Sequence, residues 1–305
     1  MSKTSSDLGQ SHFMTAPDGL KLHLRVFAPQ GAAGLPVVCL PGLTRNTSDF
    51  EELAQALASD AAKPRRVLTL DYRGRGLSAH DPDPQNYNVM VELADVIAVV
   101  TAFTANPAIY IGTSRGGILT MLLAATHPGM IAGAVLNDIG PVIEMAGLMR
   151  IKSYVGKIPL PASFVEGAAI LQKLFGEQFP RLTQLQWLAA ARSNWREDKD
   201  RLILSYDPRL AETLKDVAPD QPWPALWEPF DALRSVPLMV LRGALSDLLS
   251  AETLQAMQAR RKEMTAQATE IVEVADQGHP VTLSDPDMIE RIKTFIAGCE
   301  AEYGA

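Results

Sequence analysis

The sequence predicts an α/β fold, a mostly parallel sheet with helices on both faces, and three observations predict it. Short runs rich in valine, isoleucine and leucine recur at residues 36–40, 66–71, 108–112, 131–137, 237–241 and 270–274. They are apolar throughout rather than alternating, which suits strands buried on both faces of a parallel sheet. Helical patterns lie between most of them, at 48–58, 89–103, 117–126, 251–261 and 285–296. Such alternation implies right-handed crossovers. Ahead of these, alternating runs at 12–15 and 20–27 flank Pro17-Asp18-Gly19, a turn signal, so an antiparallel hairpin leads the sheet.

One stretch breaks the alternation. Between the run ending at Asn137 and the one starting at Pro237 the chain has helical patterns, scattered prolines and all four tryptophans, Trp187, Trp195, Trp223 and Trp227, but no convincing strand. A structureless loop of that length does not fit a compact domain. A helical cap inserted after the sixth strand does. The expected division is a core of residues 1–141 and 229–305 with a cap at 142–228. The tryptophans are read as packing a small core within the cap, with the lining of an apolar substrate pocket as the sharper alternative.

Composition bounds the function. The 305 residues are 47% apolar and 21% charged, ordinary for a globular chain able to bury a sizeable core. A net charge of -7 with no basic stripe argues against nucleic acid and against electrostatic attachment to a membrane. The first ten residues lack the apolar stretch of a signal peptide, and no window has the length of a membrane span. A cytoplasmic setting is therefore expected, with Cys39 and Cys299 as thiols. No dinucleotide or phosphate loop and no zinc-ligand spacing is present, so neither cofactor nor metal is expected.

The chemistry concentrates at Gly112-Thr113-Ser114-Arg115-Gly116, between a buried-strand pattern and a helix pattern. Gly-x-Ser-x-Gly alone is a weak signal, but this position gives it meaning. A sharp strand-to-helix turn needs small residues on both sides, and it lifts the serine oxygen out of the sheet. It also puts the next N–H at a helix N-terminus, where negative charge is stabilised.

A serine hydroxyl needs a base to take its proton. Among five histidines, His279 stands immediately after the last strand pattern, at the carboxyl-end position where open parallel sheets build sites. His12 and His23 lie in the opening hairpin, His127 ends a helix, and His80 follows the fourth strand in a loop. The base in turn needs a carboxylate to hold its tautomer. Asp247, which follows the strand at 237–241, is the expected acid; Asp138, directly after the strand at 131–137, is the rival. Asp276 is too near His279 in sequence to reach around its ring. For an oxyanion, the backbone N–H groups of Leu43, in Pro41-Gly42-Leu43, and of Arg115 are placed to donate.

These residues resemble the lid-bearing α/β-hydrolases, and the resemblance covers nearly the whole chain. The matching pieces are Pro41-Gly42, the segment from Asp71 to Ser78, the serine turn, Asp247 and Gly278-His279; the order serine, acid, histidine also matches. Two departures stand out: Pro41 replaces the family's usual histidine before glycine, and Arg115 replaces the usual methionine or glutamine. Arg115 is read as held in an ion pair, with facing the pocket to favour anionic substrates as the alternative, and the polar segment from Asp71 to Ser78 is read as structural. Arg45 and Asn46 either hold the oxyanion loop or touch substrate.

The resemblance implies an eight-stranded sheet and a serine hydrolase. Its substrate would be a small carboxylic ester with an apolar part, cleaved through an acyl-enzyme. Carbon–carbon hydrolases of ring-cleavage products, lactonases and thioesterases share the triad. A slow-turnover ligand receptor would keep it too, and a chromogenic ester assay separates that reading. Dehalogenases and epoxide hydrolases, which carry aspartate at the turn, are argued against by Ser114.

Overall fold

The computed structural model describes residues 9–104 and 106–303. The first eight residues, on which part of the leader argument rests, lie outside this range. Strand β1 (Gly9–Thr15) pairs antiparallel with β2 (Lys21–Phe27) around the turn at Gly19. The chain then alternates: β3 (Val37–Leu40), α1 (Glu51–Ala58), β4 (Val67–Asp71), α2 (Val89–Phe103), β5 (Ala108–Thr113), α3 (Arg115–Thr126) and β6 (Ile131–Asn137).

After the insertion, α7 (Trp227–Asp231), β9 (Leu238–Gly243), α8 (Ala251–Met264), β10 (Thr269–Val274) and α9 (Pro286–Tyr303) complete the core. The sheet has eight strands in the order β1-β2-β4-β3-β5-β6-β9-β10. β2 also pairs antiparallel with β4, and every later pairing is parallel. This is the α/β-hydrolase fold.

The apolar runs make strands because both of their faces are covered. On one face α2, α3 and α8 pack Val96, Leu119 and Met257 against residues such as Tyr110 and Leu136. On the other, α1 and α9 pack Leu53 and Ile292 against Ile111 and Leu241. Fully burying each such side chain contributes about 1.5–3 kcal/mol. Cys39 and Cys299 are free and buried in this second layer, where burial pushes both thiols up, away from the reactive thiolate.

The insertion contains α4 (Met145–Tyr154), α5 (Phe164–Phe175) and α6 (Gln184–Asn194). It is not strandless as expected: β7 (Trp195–Asp198) and β8 (Arg201–Leu204) form a separate antiparallel hairpin. Only four residues long each and broken by a turn at Lys199, which has φ of 55°, they were too short for a period-two pattern to stand out. The tryptophans divide. Trp187 and Trp195 are buried in an apolar cluster formed within the insertion, with Ile158, Leu171 and Phe179. Trp227 instead packs edge-on against Phe230 beside the main core, and Trp223 is exposed.

Candidate active site

Ser114 sits between the end of β5 and the start of α3 with φ of 50° and ψ of -109°, a conformation that L-residues rarely adopt. The sequence tolerates it through its glycines. A Cβ on Gly112 would lie 2.5 Å from the backbone of Gly116, and one on Gly116 would run into the carbonyl of Leu40. Strand and helix therefore meet with no side chain between them. The serine N–H donates to the Asn137 carbonyl at 3.0 Å, which ties the turn to the neighbouring strand. Because α3 starts at Arg115, the Arg115 N–H has no helical carbonyl one turn earlier to satisfy it.

The sheet register fixes what lies beside the serine. Thr113 pairs with Asn137, and Asn137 with Leu241, so the residues after β5, β6 and β9 emerge side by side at one edge. His279, after β10, reaches in among them and is 9% exposed. Its Nε2 is 2.9 Å from Ser114 Oγ and its Nδ1 is 2.7 Å from Asp138 Oδ2. Asp138, with φ of 55°, occupies a left-handed conformation that aspartate tolerates better than most residues, and it is fully buried.

The expectation for Asp247 is thereby corrected. Its carboxylate faces the insertion, where Arg150 of α4 donates to it through Nε at 2.6 Å and Nη2 at 2.7 Å. Burial alone would raise the Asp247 carboxyl, but hydrogen bonds and charge from Arg150, with smaller help from Gln178 and His279, hold it below its usual range. The turn in which the Ser246 N–H donates to the Gly243 carbonyl carries Asp247 past the histidine ring toward α4. An arginine almost a hundred positions away gave no signal in the local sequence. The strand order did hold one, since β6 lies next to β5 and Asp138 is its first residue beyond the strand. Arg150, Gln178 and Ser246 are the site residues that sequence reasoning missed.

The loop after β3 lies against the serine: a Cβ on Gly42 would be 3.9 Å from that of Ser114. Arg75 Nε donates to the Leu43 carbonyl at 2.8 Å and so fixes the peptide on the far side of that residue. Arg45 forms a bidentate pair with Asp49 and reaches Ser193 Oγ of α6, while Asn46 Nδ2 donates to the Ser193 carbonyl at 2.9 Å. Both residues therefore hold the loop and tie it to the insertion. The remaining histidines are placed elsewhere: His23 pairs with Asp71 at 2.7 Å, and His80 lies 3.5 Å from Asp207. Asp276 pairs with Arg181.

Beside the Ser114 turn, Glu92 of α2 takes Arg75 at 2.7 Å and Arg115 at 2.7 Å. Burial works to raise the Glu92 carboxyl, but the charges of Arg115 and Arg75 outweigh it and hold it below the ordinary glutamate range. Stability from this group is present above the ordinary glutamate pKa and is lost as pH falls through the depressed folded value. Glu92→Gln should cost about 3–5 kcal/mol in urea denaturation, because the buried Arg75 and the part-buried Arg115 guanidinium groups lose their counter-charge. A cost below about 1 kcal/mol, the worth of an exposed pair, would contradict this account of the brace.

The strained Ser114 turn, the His279 ring between Ser114 and Asp138, and the sheet order together define a class. The Alpha/beta hydrolase family matches residues 37–292, and the chain belongs to it. It is a hydrolase. Over 286 residues it is 35% identical to the 3-hydroxybutyrate-oligomer hydrolase of Cupriavidus necator, which covers 91% of this chain and 94% of that protein. An α/β hydrolase structure from Novosphingobium aromaticivorans superposes with a TM-score of 0.86 at 38% identity, covering 96% of this chain and 99% of that one. An esterase from Exiguobacterium antarcticum shares the fold, with a TM-score of 0.69 at 17% identity over 94% of this chain and 100% of its own.

Proposed function

We propose that this hydrolase cleaves carboxylic esters through an acyl-enzyme on Ser114, and that its substrates are short oligomers of 3-hydroxy acids. The observation that carries the reading is the His279 ring, which touches Ser114 Oγ on one side and Asp138 Oδ2 on the other. His279 Nε2 takes the serine proton as Oγ attacks the ester carbonyl, and Asp138 stabilises the imidazolium that forms. The N–H groups of Leu43 and Arg115 hold the oxyanion. His279 then gives its proton to the departing alkoxide. Water, deprotonated by the same ring, attacks the acyl-enzyme and releases the acid.

The substrate class rests on the full-length likeness to the Cupriavidus necator protein. Hydroxy acids joined head to tail are linked by ester bonds, so such an oligomer needs no chemistry beyond this triad. The test is a hydrolysis screen of 3-hydroxybutyrate dimer and trimer against simple short-chain esters, lactones, thioesters and ring-cleavage diketones. Release of 3-hydroxybutyrate from the oligomers is expected, with kcat/KM above that for every other class. Preference for a thioester or a diketone would overturn the ester reading, and preference for a simple ester would overturn the oligomer alone.

A further inference from the structure

We infer that Ser246 is a positioning residue that sets how strongly Asp138 holds the His279 imidazolium; this rests on the triad reading above. The Ser246 hydroxyl donates to Asp138 Oδ2 at 2.6 Å, the same oxygen that faces His279 Nδ1 at 2.7 Å. The other carboxylate oxygen, Oδ1, accepts the Gly243 N–H at 2.8 Å. Asp138 thus receives donors from the last residue of β9, Gly243, and from Ser246 in the loop that follows, besides the histidine. None of these contacts is implied by the nucleophile turn or by the triad itself.

The direction of the hydroxyl proton follows from counting. A serine hydroxyl carries one proton and two acceptor lone pairs. The N–H groups of Leu248 and Leu249 both donate to Ser246 Oγ at 3.2 Å, which occupies its acceptor side. Its proton is left for Asp138, whose carboxylate has none to give. The hydroxyl is also fixed in place: the Ser246 N–H donates to the Gly243 carbonyl, and the Leu248 and Leu249 side chains are 2% and 0% exposed.

A donor on Oδ2 takes up part of the anion's charge. It thereby weakens the pull of Asp138 on the imidazolium and keeps His279 a readier acid toward the leaving group. Other charges near the ring are paired. Asp247, after β9, is met by Arg150 of α4; Asp276, after β10, by Arg181 of the insertion; and Arg115 of α3 by Glu92 of α2. Replacing Ser246 removes no charged group from this set. Loss of its hydroxyl should therefore raise the pH at which His279 becomes free to act as base.

The experiment measures the second-order rate of labelling by a serine-directed fluorophosphonate from pH 4.5 to 9, using about ten pH points, for the native chain, Ser246→Ala, Ser246→Cys and Ser246→Thr. This readout needs no knowledge of the substrate. In Ser246→Ala the acid limb should move up by about half to one pH unit. Ser246→Cys, a weaker donor of similar shape, should move it part of the way, and Ser246→Thr should restore it. A serine that merely held the loop would lower the rate equally at all pH values.

Circular dichroism identifies which variants fold, and either the alanine or the cysteine variant suffices. Limbs that coincide with the native one in the folded variants would overturn the inference. A native chain that does not label, or that labels equally after Ser114→Ala, would instead overturn the serine-nucleophile reading.

Discussion

Replacing Ser114 by alanine is expected to lower ester turnover by roughly six orders of magnitude, the loss seen when a triad serine is removed elsewhere. The size follows from what the oxygen does. Without it there is no acyl-enzyme, and only the oxyanion donors and substrate binding are left to accelerate direct attack by water. Folding should change little, because the turn is held by the close approach of Gly112 and Gly116 and by the Ser114 N–H on the Asn137 carbonyl, none of which involves the hydroxyl. Removing only the hydroxyl from a residue with φ of 50° adds no new collision. Turnover within tenfold of native, in a sample with unchanged urea midpoint, would exclude Ser114 as the nucleophile.

The second large effect separates the two aspartates. Asp138→Asn should cost about four orders of magnitude in turnover, because an amide on His279 Nδ1 stabilises the wrong tautomer and leaves the imidazolium without its counter-charge. Asp247→Asn should leave kcat for a small activated acetate ester within about tenfold, since its pair with Arg150 stands beside the ring and not on it. Its effect should fall on KM for larger substrates. The Asp247 carboxylate takes Arg150 of α4, so the substitution weakens that tie to the insertion, while the Gly147 N–H on the Asp247 backbone carbonyl stays in place. The opposite ranking in kcat would move the acid to the loop after β9.

The core was legible because burial on both faces leaves an unbroken apolar run, and because such runs alternate with amphipathic helices. The residues at 89–103 and 131–137 become α2 and β6 with the boundaries read from the sequence. The serine and histidine could be singled out because each has a local mark: glycines around one, a strand end before the other. The aspartate could not be decided that way. Both candidates follow a strand, and the choice between them depends on Arg150 and Ser246, whose positions are set only by tertiary packing. The β7–β8 hairpin was hidden for a related reason. Its strands are four residues long and its pairing is closed by Trp195 packing into the insertion's own cluster.

If the chain works through a covalent ester on Ser114, that ester can be trapped and weighed. The native protein is mixed with a chromogenic acetate ester, quenched in acid within the first turnovers, digested and weighed by mass spectrometry. One acetyl group is expected on the peptide containing Ser114, formed in a burst and lost when the sample is left to turn over before quenching. No such adduct is expected in Ser114→Ala, and accumulation far slower than native is expected in Asp138→Asn. Steady hydrolysis with no acyl adduct on that peptide, or an adduct that maps to another residue, would contradict catalysis through Ser114.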